Sequence, residues 1–549
     1  MKGINNRLVA LCIAILCFSA TTGAAPLLPI QTPTINLGYE IHQGTVNETG
    51  DYYIFKNIPY AEQPVGALRF QKPAHIEKRG AEINTGAQDV ICYQALPGWE
   101  ASRSKADQKL LRQRAADAEE PVATESCLVL DLRVPAEVFR KGRAAKVPVM
   151  VWIHGGGFVR GSKTSEGDPA GLITRSMIGG QDGMIVISIN YRLGMFGWLA
   201  ADGVTPNLGI YDQRVALEWV KRYVGRFGGD PDRVTVAGES AGGASVVHHI
   251  TAFGGENDPT PFRAAIPMSP AWQFSIDVDK SYQVTLAAAS NVTGTSITDI
   301  DALRNLNSTQ LEQINQAAVF VADYGQFTYG PTTDDSLVPN HPQVLLHDGK
   351  FHRNVDVMTS HVRNESATFI PTTLKTSSDV KAALKNNLPE ASDSTIDTLL
   401  TDIYPAVSDG RKLWETEFAR AAQMDSELFF ACITRYLAVA NGNATHNYLF
   451  AVPPGFHADD IKYVFFNGDT GTGDDGLEVH ADMAIALQDY IAAFVMTGDP
   501  NTAAQPPFPM YGEDGTVIKF SDKGITTQVD DLKNGRCEWL QQAMVDGLL

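Results

Sequence analysis

The chain has 549 residues, 44% of them apolar and 19% charged, which is ample for a large buried core. Its formal net charge of -19 disfavours nucleic acid and an anionic membrane surface as partners. Length alone implies about three or four domains, but the motifs described below run from position 154 to 457 and belong to one site.

Lys2 and Arg7 precede the apolar run Leu8 to Phe18, and small residues from Ser19 to Ala25 lead to Pro26. The run is too short to span a bilayer. It has the charged, apolar and small-residue regions of a secretory signal peptide. Residues 1–24 are therefore expected to be removed, and 25–549 to form a single domain on an extracellular or vacuolar route. No later stretch is apolar enough to cross a membrane. Cys12 and Cys17 leave with the leader. Cys92, Cys127, Cys432 and Cys537 remain, an even number in an oxidising compartment, with three pairings open. None has zinc-like spacing, and no metal or cofactor is expected. Sequons at Asn47, Asn291, Asn307, Asn364 and Asn443 fit a secreted glycoprotein.

Phe55 to Ala61, with Pro59 inside it and Pro64 and Pro73 following, reads as a winding segment rather than a helix. Cys92 to Cys127 encloses a polar stretch with Trp99 and the helix-like run Lys105–Arg114, either a solvated helix or a flap over a site. Val147 to Ile153 and Met184 to Asn190 are continuous apolar runs, as in strands covered on both faces. Tyr211 to Val224 has helical periodicity. Ala264 to Met268, Val355 to Ser360 and His446 to Val452 read as later strands. The alternation predicts an α/β fold with a doubly wound, mostly parallel sheet. The stretches from about Val278 to Leu346 and from Pro371 to Gln423 read as helical insertions forming a cap.

The chemistry centres on Gly238-Glu-Ser-Ala-Gly242, between the apolar run from Val234 and the helical run from Ala244. This is the pattern of a nucleophile elbow: glycines on both sides let the turn tighten and raise the Ser240 hydroxyl above the sheet. The following helix points free N–H groups and positive dipole at a developing oxyanion. His154-Gly-Gly-Gly-Phe158 directly follows a buried strand, and its glycines let consecutive N–H groups face one point. Together these place an oxyanion hole at Gly156, Gly157 and Ala241.

With Asn190-Tyr-Arg-Leu-Gly-Met-Phe-Gly197, Asn207-Leu-Gly-Ile-Tyr-Asp-Gln213 and Phe227-Gly-Gly-Asp-Pro231, these motifs resemble the type-B carboxylesterase and lipase family, its secreted fungal branch included. The resemblance covers nearly all of the chain after the leader. It implies an α/β-hydrolase fold and hydrolysis of a small-molecule ester. Asn364-Glu-Ser-Ala-Thr-Phe369 matches the family's acid loop, which makes Glu365 the acid. The base must be a histidine able to serve two partners near working pH. His457, in Pro454-Gly-Phe-His457, resembles the family's histidine loop and is favoured over His480, which begins a helix. His248 and His249, on the elbow helix, read as packing residues. The order Ser240, Glu365, His457 is that of α/β-hydrolases. Resemblance also implies disulfides Cys92–Cys127 and Cys432–Cys537, and an Arg69–Glu125 pair.

The chain departs from the family at Asn57, where glycine is usual, at Ser269-Pro270 for Ser-Gly, and at Asp334-Asp335 for Asp-Gly. A third family disulfide has no cysteines here. The charged stretch from Arg103 to Glu120 favours a carboxylesterase over an interfacial lipase. A pathway-specific esterase or lactone-processing enzyme of fungal secondary metabolism fits the same residues. A non-catalytic adhesion protein on this fold does not, because all three triad candidates are present. Oligomeric state leaves no mark in the sequence.

Overall fold

Apolar runs without a polar face have to be covered on both sides, and here they build the middle of a sheet. The computed structural model describes residues 32–47, 51–77, 80, 82–101, 121–256, 260–272, 277–407, 414–470 and 477–549. The expected leader 1–24, the helix-like run Lys105–Arg114 and the charged stretch Arg103 to Glu120 lie outside the described residues.

An 11-stranded sheet comprises β1 (Thr45–Asn47), β2 (Tyr52–Pro59), β3 (Val129–Pro135), β4 (Val147–Ile153), β5 (Ile185–Ile189), β6 (Gly229–Glu239), β7 (Ala264–Met268), β8 (Asp356–Val362), β9 (His446–Ala451), β10 (Thr516–Ser521) and β11 (Gly524–Val529). Across the sheet the order is β11-β10-β9-β8-β7-β6-β4-β5-β3-β2-β1. Strands β10 through β5 in that order run parallel to one another. The two flanks, β11 on one side and β3, β2 and β1 on the other, are antiparallel additions. In β4 the side chains divide by the period of two. Val149, Val151 and Ile153 enter one core, and Met150 and Trp152 enter the core on the opposite face.

The helices that matter for the site are α1 (Leu208–Tyr223), α2 (Ala241–Thr251), α3 (Val278–Thr293), α4 (Ser308–Phe320) and α5 (Ala481–Thr497). Helix α2 is buried along its whole length, between the sheet and its neighbours. Both helical insertions reach the cavity above the sheet: Lys280 and Val284 of α3, and Asn386 and Asn387 from Ser377–Asn387, line it. They form the expected cap.

One reading changes, and one hairpin was not anticipated. The segment at Phe55 is not winding: Tyr52–Pro59 is strand β2, with Pro59 at its last position. Its register against β3 shifts between Phe55 and Ile58, and Asn57 sits there at φ 56°. The hairpin of β10 and β11 has no apolar run to announce it; β11 is largely part-exposed and polar.

Cys92 is bonded to Cys127 and Cys432 to Cys537. The Arg69 guanidinium meets Glu125 in a fork, Nε to Oε1 and Nη2 to Oε2 both at 2.7 Å, and Nη1 donates to the carbonyls of Arg304 and Leu306.

Candidate active site

Strand β6 ends at Glu239, and the chain reverses at Ser240 with φ 58° and ψ -122° before α2 starts at Ala241. That conformation is costly for a residue with a Cβ and persists only when its surroundings fix it. Ser240 N donates to Met268 O at 3.1 Å, while Ser240 O accepts from Ala244 N at 2.8 Å and Ala271 N at 3.0 Å. The flanking glycines are there for lack of room. A Cβ on Gly238 would lie 2.6 Å, and one on Gly242 2.0 Å, from the Ile153 carbonyl oxygen. The first turn of α2 thus rests on the backbone end of β4.

Past β4, His154 is fully buried and stacks on Tyr191 at 4.4 Å between centroids. Its carbonyl accepts from Tyr191 Oη at 2.9 Å. Burial lowers its pKa to about 4, so the ring is neutral. Gly156 and Gly157 follow at φ 103° and 61°, and both line the cavity above Ser240. A Cβ on Gly157 would lie 2.3 Å from the Phe327 ring, so that ring packs directly on the glycine loop. Ala241 is buried as the first residue of α2, where its N–H has no partner within the helix.

Glu365 lies just beyond β8 and is completely buried. Its Oε1 accepts from Val362 N at 2.8 Å, and Oε2 lies 2.6 Å from His457 Nδ1. His457 lies beyond β9, with the rings of Phe430 and Phe369 at 4.7 and 5.3 Å. The structure brings Glu365 and His457 together, and His457 and Ser240 line one cavity. His457 Nε2 has no hydrogen-bond partner; it lies 3.1 Å from Glu239 Oε1, an ion-pair distance without hydrogen-bond alignment. A bond from the Ser240 hydroxyl is not formed here, and such bonds commonly tighten only with substrate in place.

The cavity has a volume of about 390 Å³, and Trp272, Phe327, Phe369, Phe429 and Phe430 supply aromatic wall. Trp99 backs this wall rather than lining it: its ring lies 5.8 Å from Phe327 and 6.0 Å from Phe369, and its Nε1 donates to Gln326 O.

Three buried carboxyls lie near the site; of these only Glu239, beside the nucleophile, suggests a role in the sequence, tuning local charge or orienting water. Glu239 is pushed well above the usual carboxylate range, by burial first and then by Glu166, Asp460 and Glu365. Burial raises Asp425, on the cavity wall, and Asp460, which accepts from Tyr448 Oη at 2.8 Å, to about 7 each. For Asp460 the signal was its place three residues after His457; Asp425, just past the second helical insertion, gave none.

The other candidates lie elsewhere. His480 is exposed at the N-cap of α5. His248 and His249 are buried in α2, with His248 packed on Trp272 and His249 Nε2 3.1 Å from Gln213 Oε1. Among the sequons, Asn291 is exposed on α3 and Asn307 caps α4. Asn364 donates to Pro454 O, Asn47 to Tyr52 Oη, and Asn443 is left-handed at φ 63°. Among the described residues, no group of three or more His, Cys, Asp or Glu could hold a metal, and no helix is long and apolar enough to cross a membrane.

A mostly parallel sheet with a serine on a strained strand-to-helix turn and a glycine loop beside it defines an α/β-hydrolase. Residues 32–539 match the Carboxylesterase family, and the chain belongs to it. It is a carboxylic ester hydrolase. The chain is 36% identical to "Carboxylesterase patB" of Aspergillus clavatus over 94% of its own length and 97% of that protein. It is 31% identical to "Secreted lipase" of Arthroderma benhamiae, over 81% and 82%. Among solved structures, Aspergillus niger EstA superposes with a TM-score of 0.76 at 23% identity, covering 94% of this chain and 99% of that one.

Proposed function

We propose that the chain is a secreted serine carboxylesterase that hydrolyses small dissolved esters through Ser240, His457 and Glu365 by way of an acyl-enzyme. One observation carries this: a serine held at φ 58° on a nucleophile elbow shares a cavity with a histidine whose Nδ1 is 2.6 Å from a fully buried glutamate. In this reading Ser240 Oγ attacks the ester carbonyl carbon as His457 Nε2 takes its proton. Glu365 fixes the tautomer and stabilises the imidazolium. The N–H groups of Gly156, Gly157 and Ala241 receive the oxyanion. His457 then protonates the departing alcohol, and water, deprotonated by the same ring, releases the acid and restores Ser240.

The cavity's size and aromatic wall support a compact substrate rather than a triglyceride at an interface. The charges between Arg103 and Glu120 support the same choice, because drying them at a lipid surface costs more than burying Leu110 and Leu111 would return. Removal of residues 1–24, passage to the cell exterior and use of the sequons belong to the same proposal, supported by the leader pattern and the two disulfides.

Ser240→Ala tests the nucleophile. Hydrolysis of p-nitrophenyl esters should fall by more than about 10³-fold with the fold unchanged by circular dichroism, and a phosphonate should add to the Ser240 peptide of the native protein. Substantial activity in the folded variant would refute the assignment. A p-nitrophenyl chain-length series should show saturable hydrolysis that favours short acyl chains, with no rate jump at the solubility limit. A sharp jump there would favour the lipase reading.

A further inference from the structure

The loop that carries Gly156 and Gly157 has an awkward shape. Gly156, Gly157, Phe158 and Gly161 all have positive φ, and one of them is a phenylalanine. Such a path is not held by local preference and needs fixing from outside. Its interior is tied by neutral bonds: Gly194 N donates to Phe158 O at 2.8 Å, Ala95 N to Val159 O at 2.9 Å, and Gly161 N to Gln94 Oε1 at 3.1 Å. Its far end is tied by charge. Lys163 has a fully buried side chain, with Nζ 2.5 Å from Asp89 Oδ1 and 3.3 Å from Asp131 Oδ1. Its backbone N donates to Asn190 Oδ1 at 2.9 Å. Asp131 belongs to β3 and is itself fully buried, with Oδ1 also accepting from Asn57 N at 2.8 Å, and Asn190 follows β5 directly. The ammonium therefore fastens the exit of the glycine loop to β3 through Asp131 and to the segment at Asp89, while the Lys163 backbone N–H fastens it to Asn190 at the end of β5.

We propose that Lys163 is a positioning residue for the oxyanion hole, acting through the buried Asp131 and the part-exposed Asp89 carboxylates to hold Gly156 and Gly157 in place. This rests on the reading of those glycines given above. A preorganised oxyanion hole works because its N–H groups need no rearrangement when charge develops, so a loosened anchor weakens transition-state binding while leaving substrate binding intact.

The test compares Lys163→Met with Lys163→Arg and with the double variant Lys163→Met/Asp131→Asn, which removes the carboxylate that the single change leaves buried and unpaired. Active sites are counted by phosphonate titration, so rates refer to competent molecules only. The expected result for Lys163→Met and the double variant is a tenfold or larger loss of kcat with KM within about twofold, and an equal loss of affinity for a trifluoromethyl ketone. Lys163→Arg should recover much of both. Unchanged kcat per titrated site and unchanged ketone affinity would overturn the proposal, leaving Lys163 a purely structural residue. So would failure of both methionine variants to yield folded protein. These failures are distinct from failure of the nucleophile assignment: Ser240→Ala stays inactive when only the Lys163 proposal is wrong.

Discussion

At Gly242 a single added methyl group would sit 2.0 Å from the Ile153 carbonyl oxygen and 2.8 Å from that of His154. Both are backbone atoms, so nothing flexible can yield. Gly242→Ala is therefore expected to lose about 1–3 kcal/mol of stability by overpacking and to displace Ser240, two residues earlier. Denaturant midpoint and phosphonate titration would show both effects; normal values would mean that α2 can shift at no cost. The residue scale also explains two departures from the family. Asn57 and Asp335 stand where glycine is usual, and they have φ of 56° and 54°. Asn and Asp tolerate the left-handed region better than other side chains, so the backbone shape is kept without glycine. Ser240, Glu365 and His457 could be picked out as candidates because each sits in a short motif after an apolar strand. Lys163 and Asp425 could not: a buried charge has no local pattern, and its partners Asp89, Asp131 and Asn387 are distant in sequence.

Among elements, legibility followed burial. Val147–Ile153 and Ala264–Met268 were read with their limits because their residues are apolar throughout and buried on both faces. Strand β2 was obscured by Pro59 and by the bulge at Asn57, and β11 by its polar face. Elements without such runs are joined instead by polar contacts. Arg69 is the clearest: it ties the segment after β2 to Glu125 beside Cys127 and to Arg304 and Leu306 in the first insertion. The Glu125 side chain is 2% exposed, so Arg69→Ala would strand its charge. The expected loss is about 3–5 kcal/mol. Arg69→Lys should rescue it poorly, because an ammonium cannot reproduce a two-pronged contact and reach two carbonyls as well. Urea unfolding of both variants measures this; a loss under about 1 kcal/mol in Arg69→Ala would show that the fork contributes little.

Over the whole molecule, opposed groups shape stability against pH. Burial lowers His154 to about 4 and His248 to about 3, so below their unfolded value of 6.5 they bind protons first in the unfolded chain. Acid therefore weakens the fold through them. Burial raises Asp425 and Asp460 to about 7 from 3.8, so between those values they hold protons in the folded chain and lose them on unfolding. Acid strengthens the fold through them, and the two sets oppose between about pH 4 and 6.5. Asp425→Asn removes one opposing proton. The slope of unfolding free energy against pH across that interval should become more positive by about 1.4 kcal/mol per pH unit. An unchanged slope, from urea melts at several pH values, would show that Asp425 titrates normally.

The side chains proposed as the triad follow three separate strands, β6, β8 and β9, with β7 between the first two. No contiguous fragment that omits one of these strand ends can hold the site. Sequence separations this long make closure slow relative to the forming of single helices. Regained hydrolysis during refolding is therefore a late event: it should trail the far-ultraviolet signal and report the fraction of chains with the parallel block fully assembled.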